Sequence, residues 1–169
     1  MRKFTILLAI LFPVIIFTSC LDKANEEYEK QLEEYNKQIN DQFVKDTLII
    51  KQYLTDHQLT AQKQKESGIY YIINEPGDEL HPNDYSVITV NYKGYLTDGT
   101  VFYQTKEGEP YTSGLYSLIF GFRYGIPLIG TGGKIVLFIP SYYGYGSSVN
   151  GIIPANSVLI FEVELVSFY

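Results

Sequence analysis

Alternating apolar and polar positions predict a β-sheet domain in the C-terminal two thirds of the chain. Segments 86–94 and 158–165 alternate with a period of two, which is typical of strands that bury one face. Segments 68–74 and 134–139 are apolar runs of strand length, and Asp98–Gly99 is at the tip of a predicted hairpin. Turn-forming residues cluster between these runs, as expected for short, consecutive strands.

Two segments inside this domain do not follow a strand pattern. Residues 119–125 are predicted to form one short helix, limited by Pro127 because proline lacks the backbone N–H that a helix needs. Residues 106–114 are predicted to be a loop. The domain is predicted to cover residues 60–169, and residues 20–59 are predicted to form a helical stalk.

The predicted stalk follows the helical period. It contains no Gly or Pro between Leu21 and Gln58, and its apolar stripe recurs at spacings of four, three and four residues. The stripe consists of Tyr28, Leu32, Tyr35 and Ile39. It leaves two hypotheses open, a helix that forms a weak dimer or a solvated spacer, and its shortness favours the spacer. A second helical segment, about residues 41–55, is predicted to bury four apolar side chains. These are Phe43, Leu48, Ile49 and Tyr53.

The first twenty residues resemble the export signal of a bacterial lipoprotein. A short basic segment precedes the apolar stretch Phe4–Phe17, which is too short for an ordinary membrane-spanning helix. Thr18 and Ser19 then lead to Cys20, the only cysteine of the chain, as in a lipobox. This predicts a signal peptide over residues 1–19 and a membrane tether through a lipid on Cys20. The alternative is a plain secretory signal or an uncleaved anchor with an incidental cysteine.

Composition and charge exclude several kinds of site. A net charge of −6 argues against nucleic acid as a partner. One cysteine and two histidines, His57 and His81, cannot form a Cys/His zinc site, and both histidines are predicted to lie on the surface. Residues 86–169 contain neither His nor Cys, so a thiol nucleophile, a Ser-His triad and a His-bound metal are excluded there. We therefore expect no metal and no cofactor.

The remaining candidates are aromatic and branched apolar side chains. The loop after segment 134–139 is rich in Gly, Pro and Asn, yet it carries Tyr145, Ile152 and Ile153, which need a packing partner or a ligand. A pocket of such residues suits rotation about an X–Pro amide, whose barrier of about 18–20 kcal/mol comes from amide resonance. A dry aromatic site favours the less polar twisted amide, and no nucleophile is needed. These residues permit catalysis, but they equally permit simple binding.

The chain from about Gly68 to Leu165 resembles FKBP-type peptidyl-prolyl isomerases along the whole domain. The matching motifs are Val90–Phe102 (VNYKGYLTDGTVF), Gly132–Pro140 (GGKIVLFIP), Tyr145–Gly146 and Gly151–Leu165 (GIIPANSVLIFEVEL). The resemblance implies an α+β fold, in which a twisted antiparallel β-sheet wraps around one short helix, here preceded by the helical stalk. It also implies peptidyl-prolyl cis-trans isomerase activity on proline-containing unfolded or exported proteins.

The resemblance also implies site residues, carried over by position. The implied catalytic residues are Tyr92, Phe102, Tyr145 and Phe161. The implied substrate-binding residues are Leu118, Ile119, Phe122, Ile152, Ile153 and Tyr103. By the same resemblance, the backbone N–H of Ile119 binds a ligand carbonyl, and the Tyr145 hydroxyl donates to a ligand oxygen.

The chain departs from the family pattern at several positions. Tyr103 stands where the family normally has Asp, and Phe122 stands where Trp usually forms the pocket floor. Glu109 occupies a position that is often Phe, with Tyr111 nearby as a substitute, and Pro127 falls within the family's short helix. These changes leave an alternative function open, a catalytically weak FKBP-like chaperone or binding module in an envelope complex.

The order of lipobox, helical segment and domain looks like exported FKBP lipoproteins of Gram-negative bacteria. This layout implies a lipid-anchored protein of the cell envelope, held at the outer membrane and facing the periplasm. A third hypothesis from the same layout is a tethered structural lipoprotein in which the stalk is the working part.

Overall fold

One long helix and a seven-stranded antiparallel sheet form most of the described chain. A computed structural model describes residues 5–169, with side chains from residue 23 onward. The helices are α1 (Thr5–Asp56) and α2 (Phe120–Gly125). The strands are β1 (Gln62–Lys63), β2 (Tyr70–Glu75), β3 (Val87–Leu96), β4 (Val101–Gln104), β5 (Tyr111–Gly114), β6 (Lys134–Ile139) and β7 (Leu159–Phe168).

The predicted export signal lies outside what the structure describes in full. Neither the side chains of residues 1–19 nor the thiol of Cys20 belong to the described part. Among the described residues, no helix combines the length and the apolarity that a bilayer crossing requires. The signal peptide and the lipidation of Cys20 therefore stay predictions.

α1 corrects the prediction of two separate helical segments. It is continuous over 52 residues. From Leu21 to its end, the sequence places no Gly or Pro that would interrupt the backbone hydrogen bonds between the two predicted segments. It ends where Gln58 adopts a positive φ of 55°. The N–H of Gln58 then bonds to the carbonyl of Thr55, and the N–H of Leu59 bonds to that of Leu54. This pair of bonds is the Schellman cap that commonly ends a helix.

The chain divides into two compact units between Asp41 and Gln42. In the second unit, one face of α1 is buried or half-buried at spacings of three and four residues. This face consists of Phe43, Asp46, Ile50, Tyr53 and Leu54. Leu48 and Ile49 are 60% and 42% exposed, so the prediction that they are buried is wrong. The buried face of α1 is centred on Asp46. A prediction based on apolar residues alone therefore places this face wrongly.

The sheet has the strand order β1-β2-β6-β7-β3-β4, with β5 paired to β3. The predicted strands and the hairpin between β3 and β4 are confirmed. The prediction of a loop over residues 106–114 is wrong for its second half, because Tyr111–Gly114 pairs with Val87–Val90 of β3. Four residues are too few to show a period of two in the sequence.

α2 packs closely on the sheet because its inner face carries two glycines. A Cβ atom at Gly121 would lie 2.6 Å from Cγ2 of Ile139, and one at Gly125 would lie 2.5 Å from the Cδ atoms of Leu137. The short helix was predicted, and Pro127 lies in the 3-10 turn that follows it. The predicted α+β class, a twisted antiparallel sheet around one short helix with a preceding long helix, is confirmed.

Candidate functional site

A cavity of about 490 Å³ opens between α2, the β3–β4 hairpin and the loop before β7. Its lining residues are Tyr92, Phe102, Tyr103, Tyr111, Leu118, Ile119, Phe122, Tyr145, Asn150, Gly151, Ile152, Ile153 and Phe161. Every residue predicted for the site lines this cavity, and its volume lies within the usual range of ligand pockets. Their roles in binding or catalysis stay predictions.

Three phenylalanines and a tyrosine form the inner wall of the cavity. Phe161 on β7 and Phe122 on α2 are 3% and 4% exposed, and their ring centroids are 4.8 Å apart at 75°. Phe102 and Tyr92 add further edge-to-face contacts, at 5.4 Å from Phe161 and 5.6 Å from Phe122. Edge-to-face pairs are favourable beyond the area they bury, so this wall is apolar and held together by its own ring contacts.

The register of the sheet brings these rings together. Gly94 on β3 lies opposite Phe161 of β7 and Tyr103 of β4. A Cβ atom at Gly94 would lie 2.6 Å from Cζ of Phe102 and 2.7 Å from Cε1 of Phe161. The missing side chain at this position therefore leaves the space that the two rings occupy.

The polar groups of the cavity are neutral. No charged side chain is found among the described residues that line it. Burial raises the pKa of Tyr92, and the neighbouring hydroxyls of Tyr103 and Tyr111 raise it further. Burial also raises the pKa of Tyr145, with a smaller contribution from Tyr111. Both phenols therefore keep their protons at neutral pH and can donate hydrogen bonds.

Ile119 presents a backbone donor at the start of α2. It is the N-cap residue, with φ −56° and ψ 148°, and its carbonyl accepts the N–H groups of Phe122 and Arg123. Its own N–H donates to no acceptor within the described part of the chain. Because backbone donors are almost always paired, this N–H is suited to a ligand carbonyl, as the family resemblance implies.

Three of the lining residues were not among the predicted site residues. The sequence suggests Tyr111 only as a substitute for the Phe that the family often has at position 109, and its ring contacts Tyr92 edge-on at 5.9 Å. Asn150 and Gly151 precede the predicted isoleucines in the same loop. Tyr111 escaped prediction because β5 itself was missed. Glu109 instead forms an exposed ion pair with Lys106 at 3.6 Å.

Tyr103 covers the outer side of the cavity. Its ring stacks on Tyr92 with centroids 4.8 Å apart at 20°, and it is 45% exposed. The position that is usually acidic in the resembling family therefore carries a flat ring here. It adds apolar surface and a neutral hydroxyl to the rim.

Fold and cavity together give the chain a pocket whose rings and neutral donors are suited to an apolar group. The described side chains contain no cluster of His, Cys, Asp or Glu that could hold a metal. The family model for the FKBP-type peptidyl-prolyl cis-trans isomerase matches residues 78–166. The chain belongs to this family.

Similar proteins include several that are named FkpA. The FKBP-type peptidyl-prolyl cis-trans isomerase FkpA of Aeromonas hydrophila is 36% identical over 154 residues, which cover 85% of this chain and 57% of that protein. The FkpA of Escherichia coli strain K12 is 40% identical over 105 residues, or 62% of this chain and 39% of that protein. The chain thus spans about half the length of the curated relatives that it matches.

A solved structure shares the fold. The crystal structure of FkpA from Escherichia coli matches with a TM-score of 0.66 and 29% sequence identity, covering 88% of this chain and 71% of that chain. The match includes the long helix and the sheet-and-helix domain.

Proposed function

We propose that the protein catalyses cis–trans isomerisation of X–Pro peptide bonds, with the aromatic cavity as its proline pocket. The observation that carries this proposal is a cavity of about 490 Å³ that is lined by rings and branched apolar side chains without a charge. Family membership supports the same reaction. Its substrates are proline-containing unfolded or exported proteins.

The pocket acts on the amide through its environment. A proline ring lies on the wall formed by Phe122 and Phe161, and Tyr92 and Phe102 enclose its sides. The twisted amide has lost its resonance and is less polar than the planar form, so an apolar enclosure stabilises it relative to the ground state. Each 1.36 kcal/mol of such a difference accelerates rotation about tenfold.

Neutral donors hold the substrate in this position. The N–H of Ile119 donates to a substrate carbonyl, and the hydroxyl of Tyr145 donates to a second substrate oxygen. Leu118 and Ile152 supply apolar contacts at the rim, and the buried Ile153 supplies one from within the cavity. Since these donors carry no charge, they orient the peptide without creating a strong field at the reacting amide.

A pair of adjacent substitutions tests the proposal in the full chain. Phe161→Ala removes the ring from the cavity wall, whereas Ile160→Ala deletes volume from a separate cluster of buried apolar residues that includes Phe138 and Ile50. Both deletions leave a cavity in a well-packed region and cost stability. In a protease-coupled assay on an X–Pro peptide, we expect Phe161→Ala to lose most of kcat/KM and Ile160→Ala to keep it. Equal losses would contradict the proposal.

A binding function without efficient catalysis is the second candidate. Apolar side chains are exposed at the cavity and beside it, among them Ile152 at 63% and Phe120 at 51%. Such surface is suited to unfolded chain segments. A wild-type chain that fails to accelerate isomerisation but suppresses aggregation of a proline-free client would favour this chaperone or binding module.

We propose further that the protein is a lipid-anchored component of a Gram-negative cell envelope, at the outer membrane and facing the periplasm. In this proposal residues 1–19 are a signal peptide, residues 20–59 are the stalk, and residues 60–169 are the isomerase domain. Metabolic labelling with a radioactive fatty acid tests it, since Cys20→Ala would abolish the label. A labelled Cys20→Ala variant would contradict the proposed attachment site.

The stalk residues before Gln42 belong to the first compact unit. Their exposed apolar stripe is compatible with either a solvated spacer or a weak dimer. Tyr28 and Tyr35 on its apolar stripe are 64% and 59% exposed, and Leu32 is 40% exposed. Sedimentation equilibrium of the full chain, with Tyr28→Glu as the comparison, separates the two. A concentration-dependent mass that this substitution removes indicates the dimer, and a constant monomer mass indicates the spacer.

A further inference from the structure

Asp46 on α1 has a fully buried carboxylate, at 0% exposure. A buried carboxylate is costly unless hydrogen bonds satisfy its oxygens. Its Oδ2 accepts the N–H of Ser141 at 2.8 Å and the Oγ–H of Ser141 at 2.6 Å. Its Oδ1 accepts the side-chain amide of Gln42, one helical turn earlier, at 2.8 Å. The carboxylate therefore joins α1 to the segment that follows β6.

Ser141 in turn holds both sides of Tyr145. It begins the 3-10 turn Ser141–Tyr143, and its carbonyl accepts the N–H of Gly144 at 2.9 Å and the N–H of Gly146 at 2.8 Å. These two glycines flank Tyr145, whose ring lines the cavity. A shift of Ser141 would therefore move the backbone on either side of this ring.

Aromatic contacts connect the same part of α1 to the cavity helix. The ring of Phe43 meets Tyr143 edge-on, with centroids 6.1 Å apart. Tyr143 meets Tyr124 of α2 edge-on at 5.6 Å. α2 also carries Phe122. The part of α1 around Phe43 and Asp46 therefore supports both α2 and the loop that carries Tyr145.

Attachment of the helix alone does not require an aspartate. Ile50 and Leu54 already bury apolar surface on the same face of α1, and an apolar residue at position 46 would attach the helix at lower desolvation cost. What the carboxylate adds is direction, since it fixes the N–H and the hydroxyl of one residue, Ser141.

We propose that Asp46 is a positioning residue for the isomerase site, which fixes Ser141 and thereby holds Tyr145 in place. The inference rests on the proposed isomerase function of this cavity. It makes the turn of α1 from Gln42 to Asp46 a supporting part of the site, whereas the sequence pattern assigns these residues to the stalk.

Graded substitutions of the link, measured in the full chain with an X–Pro peptide, test this assignment. Asp46→Ala leaves the two Ser141 donors without an acceptor, and we expect kcat/KM to fall about tenfold or more, since a buried donor without a partner is costly and Ser141 would shift to find one. Asp46→Asn keeps one oxygen for Ser141 and should retain most of the activity. Ser141→Ala removes only the hydroxyl and should fall between the two.

Ile50→Ala is the matched control for loss of helix packing. It deletes buried side-chain volume on the same face of α1 without touching Ser141, and it is destabilising in its own right. At a temperature at which urea titration shows every variant to be folded, we expect its kcat/KM to stay within about twofold of wild type. A loss in Asp46→Ala no greater than that in Ile50→Ala overturns the proposal.

A double-mutant cycle with Tyr145→Ala distinguishes positioning of Tyr145 by Asp46 from a general contribution of Asp46 to the stability of the domain. If Asp46 acts through Tyr145, Asp46→Ala should cause no further loss in a chain that already lacks this ring, because coupled residues are not additive. Full additivity of the two losses overturns the proposal.

Amide hydrogen exchange provides a readout that does not need activity. Asp46→Ala should speed exchange at the N–H groups of Gly144 and Gly146 about tenfold or more, and Ile50→Ala should not, because opening of the loop exposes these amides. If the wild-type chain shows no isomerase activity, the proposed function fails, and exchange alone decides whether Asp46 holds the loop. Unchanged exchange in Asp46→Ala overturns the proposal in either case.

Discussion

At the scale of single residues, the cavity is distinguished by side chains that carry no charge at neutral pH. Tyr92 and Tyr145 are its half-buried phenols, and burial raises the pKa of each above the ordinary value of 10.0. The rings of Phe102, Phe122 and Phe161 complete the wall. The isomerisation proposed for this site therefore depends on shape and polarity and not on a proton transfer.

The rate of isomerisation should consequently be independent of pH near neutrality. We expect kcat/KM for an X–Pro peptide to vary by less than about twofold between pH 5.5 and 8.5, since general acid–base catalysis would instead give a bell-shaped profile. Exchange spectroscopy by NMR measures this without a coupling protease. A bell-shaped profile would refute the neutral mechanism.

The same pKa shifts make the fold sensitive to alkali. The folded-state pKa of Tyr92 lies above its unfolded value of 10.0, so its contribution to stability is fully present below pH 10 and is lost as the pH rises further. We expect the free energy of unfolding to decline above pH 10, and to decline less steeply in Tyr92→Phe. Urea titrations from pH 8 to 11 measure both slopes, and identical slopes would count against the assignment.

At the scale of elements, β3 determines how the cavity is built. It pairs with β7, β4 and β5, so it carries or aligns most of the aromatic side chains of the wall. Gly94 is the position on this strand where two rings occupy the space of a side chain. Strand register, which depends on the alternation of buried and exposed residues, thus fixes the pocket.

Gly94→Ala should damage the pocket while leaving the sheet in place. The added methyl group would press on Phe102 and Phe161, and overpacking typically costs about 1–3 kcal/mol. We expect kcat/KM to fall by more than about tenfold. Gly114→Ala is the control, because a Cβ there would meet only Oγ of Ser117 at 3.9 Å. A Gly94→Ala variant as active as Gly114→Ala would contradict this role.

The sequence predicts long, regular elements better than short or polar ones. The alternation in β3 and β7 and the turn at Asp98–Gly99 were sufficient to place the hairpin and the last strand. β5 was missed because four residues paired to a neighbouring strand leave no periodic signal. The buried face of α1 was misplaced because its central residue, Asp46, is polar and is buried only by its hydrogen bonds to Ser141.

At the scale of the whole molecule, motif resemblance grouped distant residues into one cavity lining, which periodicity could not do. Every predicted site residue lines one cavity, although these residues are spread from Tyr92 to Phe161. Composition indicates only that an apolar pocket exists. The motifs predict which residues from distant segments line it. Tyr111 and the Asp46–Ser141 link depend on tertiary pairing of distant segments, which neither composition nor local spacing encodes.

The most direct measurement is exchange between the cis and trans signals of an X–Pro peptide in the presence of a small amount of the full chain. Uncatalysed exchange takes tens of seconds or longer, too slow for cross-peaks between the two forms. We expect cross-peaks at mixing times below about one second, and we expect them to disappear in Phe161→Ala. Absence of cross-peaks with the folded wild-type chain would contradict the claim that this aromatic cavity turns a prolyl amide.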